Sequence, residues 1–151
     1  MLPEPARPQD YADIAALLGA AELPADDLTP EHLADFLVMR DGDTLAGVVG
    51  MDVRDDVALL RSLAVDARSR GAGVAGRLVA ELEAGARARG VRELYLLTTT
   101  ADGYFAHHGY DRIAREEVPA ILREHPQFLS LCPSTAVCMR KTLPFPAFVA
   151  D

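Results

Sequence analysis

The run Arg70-Gly71-Ala72-Gly73-Val74-Ala75-Gly76 sets two glycines, one residue apart, where a helical pattern begins. The first turn of a helix has N–H groups without intrahelical partners and carries the positive end of the helix dipole. Gly71 and Gly73 lack a β-carbon, so an oxyanion can approach the backbone closely. Arg68, Arg70 and Arg77 add positive charge around the same point, in a chain whose net charge is −8. The chemistry implied is the holding of a phosphate. The glycine spacing matches neither the GxGxxG dinucleotide fingerprint nor the GxxxxGK nucleotide-triphosphate loop.

Several elements must position that turn. Val57–Val65 is apolar apart from Arg61 and Ser62 and contains no Gly or Pro, as expected of a strand buried on both faces. Asp66–Ser69 link it to the glycines, after which Val74, Leu78, Leu82 and Ala86 recur at helical spacing up to a stop at Gly90. Upstream, Pro3–Arg7 is confined to a sheet edge by its prolines, and a helix opens at Pro8–Asp10 with Ile14, Leu17, Leu18 and Ala21 on one face. Thr29-Pro30-Glu31 signals a second, shorter helix with no chemistry of its own. Phe36–Arg40 and Leu45–Val53 flank the hairpin turn Asp41-Gly42-Asp43-Thr44.

Downstream, Glu93–Thr99 reads as a buried strand reached by a helical crossover, hence parallel to Val57–Val65. Ala101–His108 is a short helix stopped by Gly109. Strands at Tyr110–Arg115 and Thr135–Lys141 enclose a short helix at Val118–Glu124. The whole is an α/β fold, a central mixed β-sheet flanked by helices.

At 151 residues, with 50% hydrophobic and 25% charged, the chain is expected to form one domain, 1–151, with an apolar C-terminal tail, 144–151. That tail packs on its own domain or on a second subunit, which would make a homodimer. The acidic balance argues against nucleic acid as partner, since phosphate backbones need a basic face. No apolar run approaches the ~20 residues of a membrane span, and the start, MLPEPARPQD, has neither the basic nor the apolar part of a signal peptide. Two cysteines, Cys132 and Cys138, are too few for a disulfide scaffold, so the expected compartment is the reducing cytoplasm.

The glycine turn resembles the signature of the GCN5-related N-acetyltransferases (GNAT): Gln or Arg, two residues, Gly, one residue, then Gly or Ala, between the fourth strand and third helix. Arg70, Gly73 and Ala75 fill its fixed positions. Arg68, Gly71 and Gly73 also fit formally, but Leu63-Ala64-Val65 ends five residues before Arg70, which favours the later register. The resemblance covers nearly the whole chain. It implies acetyl-CoA as co-substrate, no metal, and a small-molecule primary amine as acceptor, acetylated directly in a ternary complex with a water-relayed base.

The resemblance also implies roles. Backbone N–H groups from Gly71 through Ala72, Gly73, Val74 and Ala75 to Gly76 would hold the pyrophosphate. The N–H of Leu63 would meet the acetyl carbonyl, and Ala64 and Val65 would flank the pantetheine arm. The family's general acid is a Tyr four residues before a glycine, and in Tyr104-Phe105-Ala106-His107-His108-Gly109 that position holds Phe105. Tyr104 is one residue earlier, roughly 100° around the helix. Thr98 stands where relatives often carry an Asn that bonds the pantetheine arm. His107, His108, Cys132, Cys138 and Ser134 are stand-ins for the acid, while His32 and His125 sit in polar, surface-like segments and are expected to be inert. General acid and base stay unassigned.

Arg61 interrupts a buried strand, where an unpaired guanidinium is costly. Either it pairs with a carboxylate such as Asp52 or Glu93, or it is a fork for a substrate carboxylate, with Ser62 beside it. Two residues separate it from Leu63, which would put both on one side of the sheet. The runs LLRSLAV, YLLTTTA and SLCPSTAVCM resemble the arsenic-resistance branch of the superfamily, which implies an amino acid or an arsinate or phosphinate amino-acid toxin as acceptor. Two rival readings remain: a coenzyme A-binding sensor that has lost catalysis, and an arsenite binder using Cys132 and Cys138. Buried, unreactive thiols are the better expectation for that pair.

Overall fold

Val57–Val65 forms strand β4 of a mixed sheet, and the other strands fall around it in a computed structural model that describes Met1–Pro144. The others are β1 (Glu4–Pro5), β2 (Phe36–Asp41), β3 (Thr44–Arg54), β5 (Glu93–Thr98), β6 (Asp111–Ile113) and β7 (Val137–Thr142). Helices are α1 (Tyr11–Ala20), α2 (Val74–Ala88), α3 (Asp102–His107) and α4 (Ala120–Arg123). The strand order is β1-β2-β3-β4-β5-β7-β6. The expectations for the apolar tail beyond Pro144 lie outside the described residues. The chain gathers into two compact units, each with its own core.

The first unit comprises Met1–Asp52 and Leu60–Ala84. Pro5 sits on the edge strand β1, antiparallel to β2, where its missing N–H costs no ladder bond. The β2–β3 hairpin closes through Gly42 and Asp43, and Gly42 takes the positive φ of 63° that a tight hairpin turn needs. Ile14 and Leu18 of α1 are wholly buried against Leu33, Phe36, Val38 and Val48. Val74, Leu78 and Leu82 face inward from α2, each at most 2% exposed, so the apolar spacing does describe its buried stripe.

The short helix signalled by Thr29-Pro30-Glu31 is of the 3-10 type, Pro30–Asp35. The Thr29 side chain makes no capping bond, so this short element has little to hold the wider α-helical turn.

The second unit comprises Val53–Leu59 and Gly85–Asp151. Val57–Leu59 of β4 pair in parallel with Glu93–Tyr95 of β5, the relationship the helical crossover requires. β7 runs antiparallel to β5 and β6 and lies between them, so the edge of the sheet is the short β6. Val57, Leu59, Tyr95, Val118, Leu122 and Cys138 form this unit's core. α2 ends in a paired cap: Val91 N–H reaches the Ala86 carbonyl at 2.9 Å and Gly90 N–H the Arg87 carbonyl at 3.0 Å, with Gly90 at φ 86°. The same device ends α3, from Tyr110 N–H to Phe105 (3.0 Å) and Gly109 N–H to Ala106 (3.3 Å).

Candidate active site

In the first unit, β4 delivers the chain to the glycine turn through a short 3-10 turn, Ala67–Ser69. Asp66 organises it. Its N–H donates to the Ala46 carbonyl (2.8 Å), tying the end of β4 to β3. Its Oδ1 accepts from the backbone N–H of Arg68 (2.9 Å) and from Arg68 Nε (3.0 Å). Those Arg68 bonds hold the Asp66 carboxyl below the usual carboxylate range. The Arg68 charge is therefore partly committed to this chain. Arg70 stays exposed, and Arg77 donates to the Met1 carbonyl at 2.8 Å.

Gly71 and Gly73 have φ of 83° and 77°, and neither has any atom within 4 Å of where a β-carbon would stand. That is open, left-handed backbone that other residues adopt only under strain. The first intrahelical bond of α2 runs from Arg77 N–H to the Gly73 carbonyl at 3.1 Å. The N–H groups of Val74, Ala75 and Gly76 therefore precede the helical ladder and aim their dipoles along the axis. The seat suits an anion such as a phosphate: Gly71, Ala72 and Gly73 are exposed, and a fifteen-residue helix stands behind them.

Immediately upstream the strand is not regular. Ser62 has φ 61°, a left-handed conformation inside β4. Such a residue breaks the two-residue alternation of side chains, so the expectation that Arg61 and Leu63 share a side does not follow from spacing. Ala64 is buried, while Leu63 and Val65 are half-buried.

Arg61 is paired with carboxylates. Its side chain has no exposed surface. Nη1 and Nη2 donate to Asp27 Oδ2 (2.5 Å) and Oδ1 (2.7 Å), a two-pronged bond, and Nη1 also reaches Asp52 Oδ2 at 3.1 Å. Nε donates to Ser62 Oγ at 3.1 Å. Burial disfavours the guanidinium charge, but Asp27 and Asp52 outweigh it and hold it firmly protonated. Asp52 was among the partners expected; Glu93 is instead bonded by the Tyr95 hydroxyl (3.3 Å). Asp27, the principal partner, gave no sequence signal beyond an acidic pair after Pro24. A fork for a substrate carboxylate needs open nitrogens, and here Asp27 occupies two of them.

His32 belongs to the same cluster, contrary to the expectation of an inert surface residue. Its Nε2 lies 2.7 Å from Asp52 Oδ1 and its Nδ1 3.3 Å from the Asp27 carbonyl. Asp27, His32 and Asp52 are also close enough to hold a metal ion among the described residues, but the Arg61 guanidinium already bonds both carboxylates. Neither cysteine joins such a group.

The second unit holds the remaining expected residues. Thr98 Oγ1 accepts from Ala101 N–H at 2.9 Å, so its hydroxyl helps start α3. Phe105 is 4% exposed, its ring 5.3 Å from that of Tyr110. Tyr104 lies on another side of α3, ring to ring with His108 at 4.4 Å. His107, His108 and Ser134 are exposed. His125 is 1% exposed, which corrects its assignment to the surface. It can be buried because Nδ1 accepts from Gln127 N–H at 3.1 Å, as the chain enters a π-type turn over Gln127–Leu131. Burial pushes the Cys138 thiol up to about 11, and Cys132 Sγ lies 3.9 Å from Gln127 Oε1.

Known proteins share this architecture. An amino-acid acetyltransferase of Ectopseudomonas mendocina (strain ymp) is 34% identical over 85 residues, 56% of this chain and 20% of the relative. N-acetylglutamate synthase from Neisseria gonorrhoeae, solved with coenzyme A and N-acetyl-glutamate, superposes with a TM-score of 0.82 at 21% identity, over 94% of this chain and 35% of the synthase. A Mycobacterium tuberculosis protein solved with CoA and NLQ gives a TM-score of 0.80 at 22% identity, covering 95% and 100% of the two chains. The chain thus spans about a third of the synthase and a fifth of the curated relative. The structures establish the fold, and no helix of the described residues is long and apolar enough to cross a membrane. The model of the acetyltransferase (GNAT) family matches residues 5–114, including β4, the glycine turn and α2, and the chain belongs to that family.

Proposed function

We propose that this chain is an N-acetyltransferase that moves acetyl from acetyl-CoA to the primary amine of a small acceptor, in a ternary complex and without a covalent enzyme intermediate. The observation that carries the reading is the open left-handed pair Gly71 and Gly73 at the start of α2. Acetyl-CoA supplies a thioester whose carbonyl oxygen gains negative charge when the amine attacks. The Leu63 N–H is the donor for that oxygen, a role worth about 10²–10³ in rate where such donors have been removed. Val65 takes the pantetheine arm. Arg70 and the N–H groups at Gly71–Gly76 take the phosphates. A water-relayed base takes the proton that the attacking amine loses, and the coenzyme A thiolate, a good leaving group, takes one from water, so the phenylalanine at position 105 does not forbid turnover.

The acceptor is an amino acid. The names of the curated relative and of the synthase support that class, and the runs LLRSLAV, YLLTTTA and SLCPSTAVCM extend it to arsinate and phosphinate amino acids and so to arsenic resistance. The reducing cytoplasm suits the two free cysteines. The test is thiol release from acetyl-CoA across a panel of amino acids, their arsinate and phosphinate analogues, polyamines and aminoglycosides. Turnover confined to the amino-acid group supports the assignment, and turnover only with polyamines or aminoglycosides overturns the acceptor. Micromolar acetyl-CoA binding with silence across the panel favours the second reading, a coenzyme A sensor, for which Phe105 in the acid's position is the motive.

A further inference from the structure

Ser62 is a non-glycine residue at φ 61° in the middle of a buried strand. An L-residue in that conformation costs roughly 1–2 kcal/mol, so something must hold it there. Ser62 is 8% exposed, and its hydroxyl accepts from Arg61 Nε at 3.1 Å. Arg61 is fixed in turn: Asp27 grips both terminal nitrogens, Asp52 takes Nη1 from a second direction, and His32 Nε2 lies 2.7 Å from the other oxygen of Asp52. Phe36 completes the clamp, its ring 6.0 Å from the guanidinium carbon and 6.1 Å from the His32 ring. Gly50 permits this, because a β-carbon there would collide with the Phe36 ring. The residue after Ser62 is Leu63.

We propose that Arg61 is a positioning residue for acyl transfer: braced by Asp27, Asp52 and His32, it holds Ser62 in its left-handed turn and thereby aims the Leu63 N–H at the acetyl carbonyl. The inference rests on the reading of Leu63 as the carbonyl donor. It assigns the cluster a task distinct from gripping an acceptor's carboxylate or a metal ion. The design places a charged network, which resists rearrangement because every member is bonded, behind a backbone donor that has no side chain through which to be adjusted. A small misplacement of such a donor is expensive, on the order of a hundredfold in rate for an ångström.

The test needs only the donor. Calorimetry on the full chain compares acetyl-CoA with coenzyme A, which differ by the acetyl group and therefore by the carbonyl that Leu63 would meet. In the wild type acetyl-CoA should bind a few-fold to about tenfold more tightly, the worth of one hydrogen bond. Arg61→Lys keeps the charge but loses the Nε donor and the planar fork, so that ratio should fall towards one while coenzyme A itself binds within about twofold of before. Should the lysine variant not fold, Ser62→Ala and Ser62→Gly carry the same question. Glycine accepts a positive φ without the clamp and alanine does not, so alanine should lose more of the ratio than glycine. In the lysine background, Ser62→Gly should restore part of it. Equal losses for alanine and glycine, an unchanged ratio in Arg61→Lys, or equal weakening of both nucleotides would overturn the positioning role. A wild-type chain that binds neither nucleotide would instead overturn the acetyltransferase reading beneath it.

Discussion

Gly47 of β3 lies directly against Val74, the first residue of α2: a β-carbon at Gly47 would stand 2.6 Å from Val74 Cγ1 and 2.9 Å from Leu78 Cδ1. The missing side chain is what lets α2 settle on the sheet at the height that presents its N-terminal N–H groups beside the glycine turn. Gly47→Ala should destabilise the fold by about 1–3 kcal/mol, the usual cost of overpacking. The melting temperature should drop by several degrees, and coenzyme A affinity should fall with it because the helix is lifted. An alanine variant that melts like the wild type would show that α2 can slide to make room.

Gly73 tests the phosphate seat differently. Space around its absent β-carbon is open, so packing does not forbid a side chain; its φ of 77° does. Gly73→Ala should therefore leave the melting temperature nearly unchanged if the turn relaxes out of its left-handed conformation. Coenzyme A affinity should fall roughly tenfold, since about 1.4 kcal/mol is tenfold and the conformation costs 1–2. Calorimetry that finds full affinity would mean the phosphates lie elsewhere.

The two thiols should behave unlike each other. Cys132 is half-buried and Cys138 is 3% exposed with its thiol pushed up to about 11 from 9.0. A disulfide-exchange reagent at pH 8 should count one fast thiol in the native chain and the second only after unfolding. Because the folded thiol holds its proton to higher pH than the unfolded one, Cys138 contributes stability that is complete below about pH 9 and declines as the pH rises towards 11. Cys138→Val should flatten that decline. Two equally fast thiols would restore the arsenite-binding possibility.

Asp10 should govern the acid limb. Burial raises its pKa, but the Arg7 N–H (2.8 Å) and the Arg40 guanidinium outweigh that and hold it below its ordinary 3.8. A lowered folded value means stability that is present above about pH 4 and lost as the pH falls through the folded value. Asp10→Asn should cost about 2 kcal/mol near neutrality in urea unfolding. The gap to the wild type should close in acid, and a gap constant across that range would show that the charge is not the source.

Strands and α2 were legible because their signals are local. Val57–Val65 and Glu93–Thr98 are apolar runs bounded by breakers, and Val74, Leu78, Leu82 and Ala86 mark one helical stripe. What escaped depends on partners distant in sequence. Asp27 meets Arg61 across 34 positions, and His32 and His125 read as surface residues because their flanks are polar, although Asp52 and Gln127 satisfy their rings. The left-handed Ser62 is invisible for a related reason: serine carries no preference for it, and the Arg61 Nε that bonds its hydroxyl is itself held by residues distant in sequence. Of the candidate site, the glycine turn was readable from residue types, whereas the support behind Leu63 was not.

The place of β7 between β5 and β6 also orders events while the chain is being made. Until Val137–Thr142 emerge, Leu94–Thr98 offers an unpaired edge on that flank and Asp111–Ile113 lacks the strand it will pair with. A nascent chain stalled before Val137 would therefore carry a sticky, open border of the kind that recruits chaperones or seeds aggregates. The second unit becomes safe only once β7 slots into the gap.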